Sequence, residues 1–109
     1  MIIIKLWLDD VRPAPEGYIW VRTVYMAKEL IEGREEDSNY TGDKSILFEL
    51  IDIDHDAGDF DGAGGDYIRL LDWFEETGRN YPIRIHSANP VGVANMRRII
   101  QRNGWKEVF

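Results

Sequence analysis

Cysteine is absent from the 109-residue sequence, which excludes disulfides, thiolate nucleophiles and zinc sites built on sulfur. Long hydrophobic runs are absent too, since apolar stretches such as residues 1–4 and 46–48 are far too short to span a bilayer. The first residues also lack the basic and then apolar pattern of a secretory signal. We therefore expect a cytoplasmic protein without membrane attachment, whose chemistry would use carboxylates or a metal ion.

Positive charge is scarce, with 13 Lys and Arg against 20 Asp and Glu and a formal net charge of −7. The excess of acids is local, because six of them lie in one fifteen-residue stretch. They are Asp52, Asp54, Asp56, Asp59, Asp61 and Asp66. A protein of this charge without a basic stripe is poorly suited to long duplex nucleic acid. A small phosphorylated ligand or an RNA strand end is compatible if a cation bridges it to the carboxylates.

Apolar residues make up 44% of the chain and aromatic residues 12%. This is enough for one compact core but hardly for two. The sequence shows no internal repeat, low-complexity tract or interdomain linker. We therefore predict a single domain over residues 1–109.

The order of apolar and polar segments predicts an α/β fold. Strands are predicted at residues 2–8, 18–22, 46–53, 82–86 and 105–109, the last as an edge strand. Strands that alternate with helices favour a parallel sheet sandwiched by helices. The connection over residues 11–17 is irregular, because it is rich in proline and glycine and too short for an ordinary parallel crossover.

The first helix should begin after Thr23, whose side chain suits the N-cap position. Gly33 is predicted to end this helix. Residues 34–44 are polar and are predicted to form a flexible connection or a lid.

Two further helices follow from the same kind of signal. Asp66 is predicted to cap a helix that Gly78 ends. Asn89 should cap a third helix, with Pro90 at its first position and its end near Asn103.

Three polar clusters directly follow predicted strands, at residues 9–10, 54–56 and 86–89. In open α/β sheets, ligands bind outside the carboxyl ends of the strands. We therefore expect the three clusters to share one pocket.

Asp9, Asp10 and Asp56 are the candidate metal ligands, because converging carboxylates repel one another unless a cation or proton intervenes. Mg²⁺ or Mn²⁺ suits such oxygen ligands, and Mg²⁺ keeps waters for substrate phosphates. A calcium EF-hand is excluded, since Ala57 and Ala63 stand where that loop requires glycine and glutamate. In the alternative reading, Asp9 and Asp10 only begin a turn.

His55 and His86 are the two histidines of the chain, and both lie in these clusters. Imidazole is well suited to proton transfer near neutral pH, so the pair are candidate general acid and base. A structural role or a two-histidine metal site are the alternatives. Asp52 shares a strand face with Asp54 and is either a buried hydrogen-bonded partner or a ligand.

Arg12, Ser87 and Asn89 are candidate phosphate-binding residues. A guanidinium can bind phosphate through two nitrogens, and Ser87 and Asn89 precede a helix whose first amides can bind an anion. Arg12 could equally form a salt bridge to the acidic cluster, and Ser87 and Asn89 could serve only as caps.

Three motifs together resemble those of the cyclic-phosphate-processing receiver-like family. They are Asp-Asp-Val-Arg-Pro at 9–13, Asp-His-Asp-Ala-Gly at 54–58 and His-Ser-Ala-Asn-Pro-Val-Gly at 86–92. The resemblance covers residues 3 to about 104. It implies a three-layer flavodoxin- or receiver-like fold, with a five-stranded parallel sheet of order 2-1-3-4-5 and the first helix reduced to a loop.

The resemblance also implies roles for individual residues. Asp9 and Asp10 match the metal-binding acid pair of receivers, and Asp54 matches the phospho-acceptor position. Ser87 matches the residue that contacts the phosphoryl group. Lys106 lies too early to match the receiver lysine, which argues against phospho-relay signalling.

The function that this resemblance implies is processing of cyclic phosphates, as a metal-dependent phosphoesterase of the cyclic phosphodiesterase type. Its catalytic residues would be His55, His86 and Asp54, the last as a nucleophile or a metal ligand. Its substrate would be a small cyclic nucleotide or a 2′,3′-cyclic phosphate at an RNA 3′ end. The alternative is a non-catalytic receiver-like module that binds a phosphorylated ligand or a protein partner.

Overall fold

The computed structural model of the protein describes residues 2–41 and 46–109. Its strands are β1 (Ile2–Leu8), β2 (Ile19–Val21), β3 (Ile46–Ile53) and β4 (Ile83–Ile85). Its helices are α1 (Val24–Thr41), α2 (Ile68–Thr77) and α3 (Pro90–Asn103), with a short 3-10 helix at Gly58–Phe60. No helix in the described part of the chain is both long enough and apolar enough to cross a membrane.

All strands in the described residues are parallel, in the order β2-β1-β3-β4. The expected fifth strand is wrong, because residues 105–109 make only one isolated bridge, between Glu107 and Ile83. Trp105 turns its side chain into the core after Gly104, and β4 is only three residues long. Both features leave too little extended chain for a ladder.

The three described helices pack on one face of the sheet, so the expected sandwich of three layers is also wrong. Alternate β1 residues Ile4, Leu6 and Leu8 are buried in one core with α1, α2 and α3. Successive crossovers β2-α1-β3 and β3-α2-β4 advance in the same direction, and right-handed crossovers of that kind share a face. The connection from β1 to β2 runs the other way, and as predicted it is a loop without a helix.

Helix α1 continues beyond its predicted end at Gly33. Gly33 lies at the surface, with no described atom within 4 Å of a Cβ built on it, and the helix runs through it without a break. The next turn is held by Glu35, whose carboxylate accepts hydrogen bonds of 2.9–3.0 Å from the Arg79 guanidinium. The predicted loop over residues 34–41 is therefore helical, and the remainder of the predicted lid, 42–44, lies outside the described residues.

The capping predictions have mixed outcomes. Asn89 caps α3 as predicted, since its side-chain oxygen accepts from the Gly92 amide at 3.0 Å. Asp66 does not cap α2, whose N-cap is Tyr67. The Asp66 carboxylate instead accepts a 2.9 Å hydrogen bond from the Ala57 amide and so closes the loop that follows β3.

Candidate active site

The predicted clusters lie at the carboxyl ends of β1, β3 and β4, where parallel strands end at one edge of the sheet. Asp9, Asp10 and Asp54 are brought together there. One carboxylate oxygen from each lies within 4.8 Å of those of the other two. His86 joins the group, with its Nε2 3.0 Å from an Asp9 oxygen.

Asp9 organises the loop that stands in place of a helix after β1. Its Oδ1 accepts hydrogen bonds from the backbone amides of Val11 and Arg12, at 3.0 and 2.7 Å. Its backbone oxygen accepts from the Trp20 indole at 2.8 Å. The carboxylate is fully buried, and these bonds satisfy a group that would otherwise be costly to bury.

Asp10 and Asp54 have more free oxygen atoms than Asp9. The Asp54 Oδ1 accepts from the His55 amide at 2.8 Å, and the Asp10 carboxylate has no hydrogen bond within the described residues. Gly58 makes room for Asp10, because a Cβ built on Gly58 would overlap the Asp10 carboxylate. Gly58 also has a φ of 55°, which favours glycine.

His86 is held on three sides. Its Nδ1 lies 2.6 Å from Asp52 Oδ1 and its Nε2 lies 3.0 Å from Asp9 Oδ2. Its ring stacks on Trp7, with centroids 3.7 Å apart and planes 4° from parallel. The ring can donate to both carboxylates only when both nitrogens carry a proton. Asp52 is thus a hydrogen-bonded partner of His86, which was one of its two predicted roles.

His55 is held differently and keeps one nitrogen available. Its Nδ1 lies 2.7 Å from Asp56 Oδ1, while Nε2 has no hydrogen-bond partner in the described chain. Gly92 gives the ring its space, since a Cβ on Gly92 would overlap the imidazole. The Asn89 amide contacts both Asp56 oxygens at 3.4 Å.

The three predicted metal ligands do not form one set. Asp56 groups with His55 and Asp66, whose ligand atoms lie within 4.8 Å of one another, whereas Asp9 and Asp10 group with Asp54. The Asp54 amide still bonds the Leu8 carbonyl oxygen of the neighbouring strand, whereas Asp56 lies two residues further along, in the loop after β3. Its side chain therefore turns towards the start of α3.

The candidate phosphate-binding residues make contacts near the end of β4 and the start of α3. The Arg12 guanidinium donates to the His86 carbonyl oxygen at 3.4 Å, and within the described residues it forms no salt bridge to the acids. Ser87 Oγ accepts from the Asn89 amide at 3.1 Å, and Asn89 caps α3. The capping role is thus observed, and phosphate binding stays a prediction.

Tyr67 lies beside the carboxylates of the site, whereas its helical spacing with Leu70, Leu71 and Phe74 predicted only a place in the core. Its side chain is fully buried, and its hydroxyl donates to the Arg22 carbonyl oxygen at 2.8 Å. Burial raises the pKa of Tyr67, and the nearby carboxylates of Asp10, Asp9 and Asp54 raise it further. In the sequence, the motif glycines Gly58 and Gly92 are the local feature that indicates close packing of side chains in this site.

The donor set of Asp9, Asp10 and Asp54 fits a hard divalent cation. It offers carboxylate oxygens alone, which are the ligands that Mg²⁺ and Mn²⁺ prefer. The lack of a hydrogen bond to the Asp10 carboxylate among the described residues, and the space that Gly58 leaves for it, support the same conclusion. Partly exposed Asp10 and Asp54 would leave coordination positions open towards solvent.

Comparison with known proteins agrees with this architecture. The family model of the cyclic-phosphate processing Receiver domain matches residues 4–102. No curated protein and no solved structure matches the chain. The family match spans most of the sequence and includes all three motifs of the site. The chain therefore belongs to the cyclic-phosphate processing receiver domain family.

Proposed function

We propose that this protein is a metal-dependent phosphoesterase that opens cyclic phosphates, such as 2′,3′-cyclic phosphate RNA ends or cyclic nucleotides. The proposal depends on one observation above all. The Asp9, Asp10 and Asp54 carboxylates offer oxygens within 4.8 Å of one another, the His86 ring contacts Asp9, and the His55 backbone amide donates to Asp54 and so ties the second histidine to the same edge of the sheet. Carboxylates, imidazoles and a guanidinium are the groups that phosphate hydrolysis requires.

Asp10 and Asp54 would be the principal ligands of Mg²⁺ or Mn²⁺, with Asp9 as the buried third carboxylate. When bound, the cation would neutralise phosphate charge and activate water. Asp9 already bonds two amides and His86, so its orientation is fixed before any ligand arrives. Fixed orientation lowers the entropy cost of assembling the site.

His55 is the better candidate for proton transfer. Hydrolysis joins a water oxygen to phosphorus and breaks the bond from phosphorus to one ester oxygen. The Nε2 of His55 would accept the proton of that water and return a proton to the leaving oxygen. Asp56 would act as a positioning residue, because it holds Nδ1 and leaves Nε2 as the free nitrogen.

His86 has a different role in this proposal. Both of its nitrogens contact buried or nearly buried carboxylates, and only 11% of its side chain is exposed. It would orient Asp9 and complete the charge balance of the buried acids. Arg12 carries its guanidinium beside the His86 carbonyl and would bind the phosphate, with Ser87 supplying a hydroxyl.

A binding module without turnover is the second candidate. The engagement of both His86 nitrogens favours it, because it leaves one histidine, His55, for proton transfer where an acid and a base would use two. Asp54, at the phospho-acceptor position of receivers, would then hold a phosphorylated ligand through a cation. This candidate predicts binding with the ligand recovered unchanged.

The test is incubation of the purified protein with 2′,3′-cyclic nucleotides and either Mg²⁺ or Mn²⁺, with products separated by chromatography. We expect monophosphate formation that His55→Ala and Asp10→Asn reduce by roughly 100-fold or more, the scale of acid–base catalysis. Asp59→Asn is the matched control, since Asp59 is an exposed acid in the same loop and outside both clusters. It should keep full activity.

Calorimetric titration with Mg²⁺ and Mn²⁺ separates the two candidates. Metal binding that Asp10→Asn removes, together with unchanged cyclic nucleotide, would favour the binding module. Turnover that persists in both Asp10→Asn and His55→Ala would overturn the proposed mechanism.

A further inference from the structure

One face of the sheet carries no helix in the part of the chain that the structure describes. We call it the open face, and it consists of the alternate strand residues that point away from the core. They are Ile3, Lys5, Trp7, Trp20, Leu47, Leu50, Asp52 and Arg84. The register places Lys5 beside Leu50, and Trp7 beside Asp52.

The open face is unusual for a parallel sheet, which is normally covered on both sides. Ile3 remains 53% exposed and Leu47 47% exposed, although they are neighbours in the ladder. Adjacent large apolar side chains at the surface indicate an interaction site more often than isolated ones do.

The end of the open face next to the active site is already covered. Tyr18 packs edge-on against Trp7, with ring centroids 5.8 Å apart, and Trp7 stacks on His86. Further along the sheet this cover stops. A hollow of about 340 Å³ begins there, and its lining residues are Lys5, Tyr18, Glu49, Leu50, Pro82, Lys106 and Val108. The hollow and the exposed apolar pair lie on the same side of the sheet.

The charge of the open face is opposite to that of the chain as a whole. The chain has a net charge of −7, yet Lys5, Arg84 and Lys106 border this face and form no ion pair within the described residues. Glu49 is an exposed acid in the same region, and Asp52 is buried against His86. On the helical side, by contrast, Arg79 and Arg102 are paired with glutamates.

We propose that the open face binds an amphipathic helix of a partner protein. The helix would place an apolar stripe on Ile3, Leu47 and the hollow, and acidic residues beside Lys5, Arg84 and Lys106. Helices are the elements that cover parallel sheets in α/β folds, and an acidic flank complements the unpaired cations. A second copy of this chain is disfavoured, because it would bring the same three cations face to face.

The experiment is selection of binders from a display library of randomised helical peptides against the full chain, with the selected peptides then synthesised. Affinities are measured by fluorescence anisotropy. We expect peptides with an apolar stripe flanked by Asp or Glu, and affinity that falls as salt rises. Leu47→Asp and Lys106→Glu should each weaken binding by roughly tenfold or more, as loss of an interface anchor does.

Matched controls carry the same chemical changes on the helical side. Met26→Asp introduces a charge at a side chain that is 53% exposed on α1, and Arg98→Glu reverses an exposed charge on α3. Both should leave the affinity within about twofold, since they are remote from the interface. Circular dichroism confirms that each variant is folded.

Three results would overturn the proposal. They are no enrichment of any peptide, enrichment of basic peptides, or affinity that the controls reduce as much as the open-face variants do. Concentration-dependent dimerisation that Leu47→Asp abolishes would also overturn it, in favour of a second copy of the chain. None of these measurements uses turnover, so the outcome is independent of the phosphoesterase proposal.

Discussion

At the scale of single residues, the two motif glycines are part of the candidate active site. Gly58 leaves the space that Asp10 occupies, and Gly92 leaves the space that the His55 ring occupies. Each glycine belongs to a different motif from the side chain it accommodates. The motifs therefore hold together through close packing as well as through charge.

Gly92→Ala should displace His55. The new methyl group would overlap the imidazole, so we expect a loss of stability of about 1–3 kcal/mol, as for overpacked cores. Activity should fall while metal affinity stays unchanged, because the ligand carboxylates lie elsewhere. Denaturant unfolding, turnover and metal titration measure these effects.

Gly33→Ala is the control for this substitution. Gly33 lies within α1 with no atom close to the added methyl group, so alanine should stabilise the protein by about 0.5–1 kcal/mol. Equal behaviour of the two variants would contradict the steric role of Gly92.

The two histidines should differ sharply in their contribution to stability. His86→Ala would leave buried Asp52 without its hydrogen-bond partner and Asp9 with its two amide bonds alone, and we expect a loss of about 3 kcal/mol or more. His55→Ala breaks a pair with exposed Asp56 and should cost much less, since exposed pairs contribute under about 1 kcal/mol.

The measurement is urea unfolding of both variants. Asp52→Asn added to His86→Ala should restore part of the lost stability, because it removes one uncompensated buried charge. A His86→Ala protein as stable as His55→Ala would contradict the positioning role of His86.

At the scale of elements, the loop between β3 and α2 is held by a side chain that was predicted to cap a helix. Asp66 accepts from the Ala57 amide at 2.9 Å, and Gly58 follows directly, beneath Asp10. The loop therefore connects the start of α2 to Asp10, one of the proposed metal ligands. In the same way, Asp9 binds the amides that follow β1 and replaces the hydrogen bonds of the absent helix.

Asp66→Ala should destabilise the protein by about 1–3 kcal/mol, because it leaves the Ala57 amide without its acceptor. It should also weaken metal binding, since Gly58 and Asp10 would lose their fixed separation. Asp59→Ala is the control and should change neither property. Thermal unfolding with and without Mg²⁺ measures both effects, and an unchanged metal affinity in Asp66→Ala would contradict the coupling.

At the scale of the whole molecule, buried tyrosines should make stability fall in alkaline solution. Burial raises the pKa of Tyr67, and the site carboxylates add to the effect. Burial also raises the pKa of Tyr81. The Glu35 carboxylate, which accepts a hydrogen bond from the Tyr81 hydroxyl, raises this pKa further. Both hydroxyls thus stay protonated in the folded protein at a pH where unfolded tyrosine, with a pKa of about 10, ionises.

The sign of the effect follows from proton binding. Above about pH 10 the folded state binds more protons than the unfolded state, so the free energy of unfolding decreases as pH rises. The contribution is fully present below that pH, and each tyrosine adds about 1.4 kcal/mol per pH unit to the slope above it. Unfolding titrations from pH 8 to 11 should show this slope. Tyr67→Phe should reduce the slope by the contribution of one tyrosine, about 1.4 kcal/mol per pH unit. An unchanged slope would contradict the raised pKa of Tyr67.

Much of the fold and part of the site follow from local patterns. Apolar runs predicted β1 and β3 with their observed bounds, and Asn89 with Pro90 predicted the start of α3. Placing the polar clusters after strand ends predicted their meeting at one edge of the sheet. These features depend on residues close together in the chain, and that is why the amino-acid sequence by itself determined them.

Only the tertiary structure decided which polar groups become partners. His86 and Asp9 are 77 residues apart in the chain, and their contact depends on the register of three strands. Likewise, all described helices gathered on one face, because strand order and crossover direction set those positions. A spacing pattern predicts which face of a strand or helix a residue points to, but not which residue from another element will contact it there.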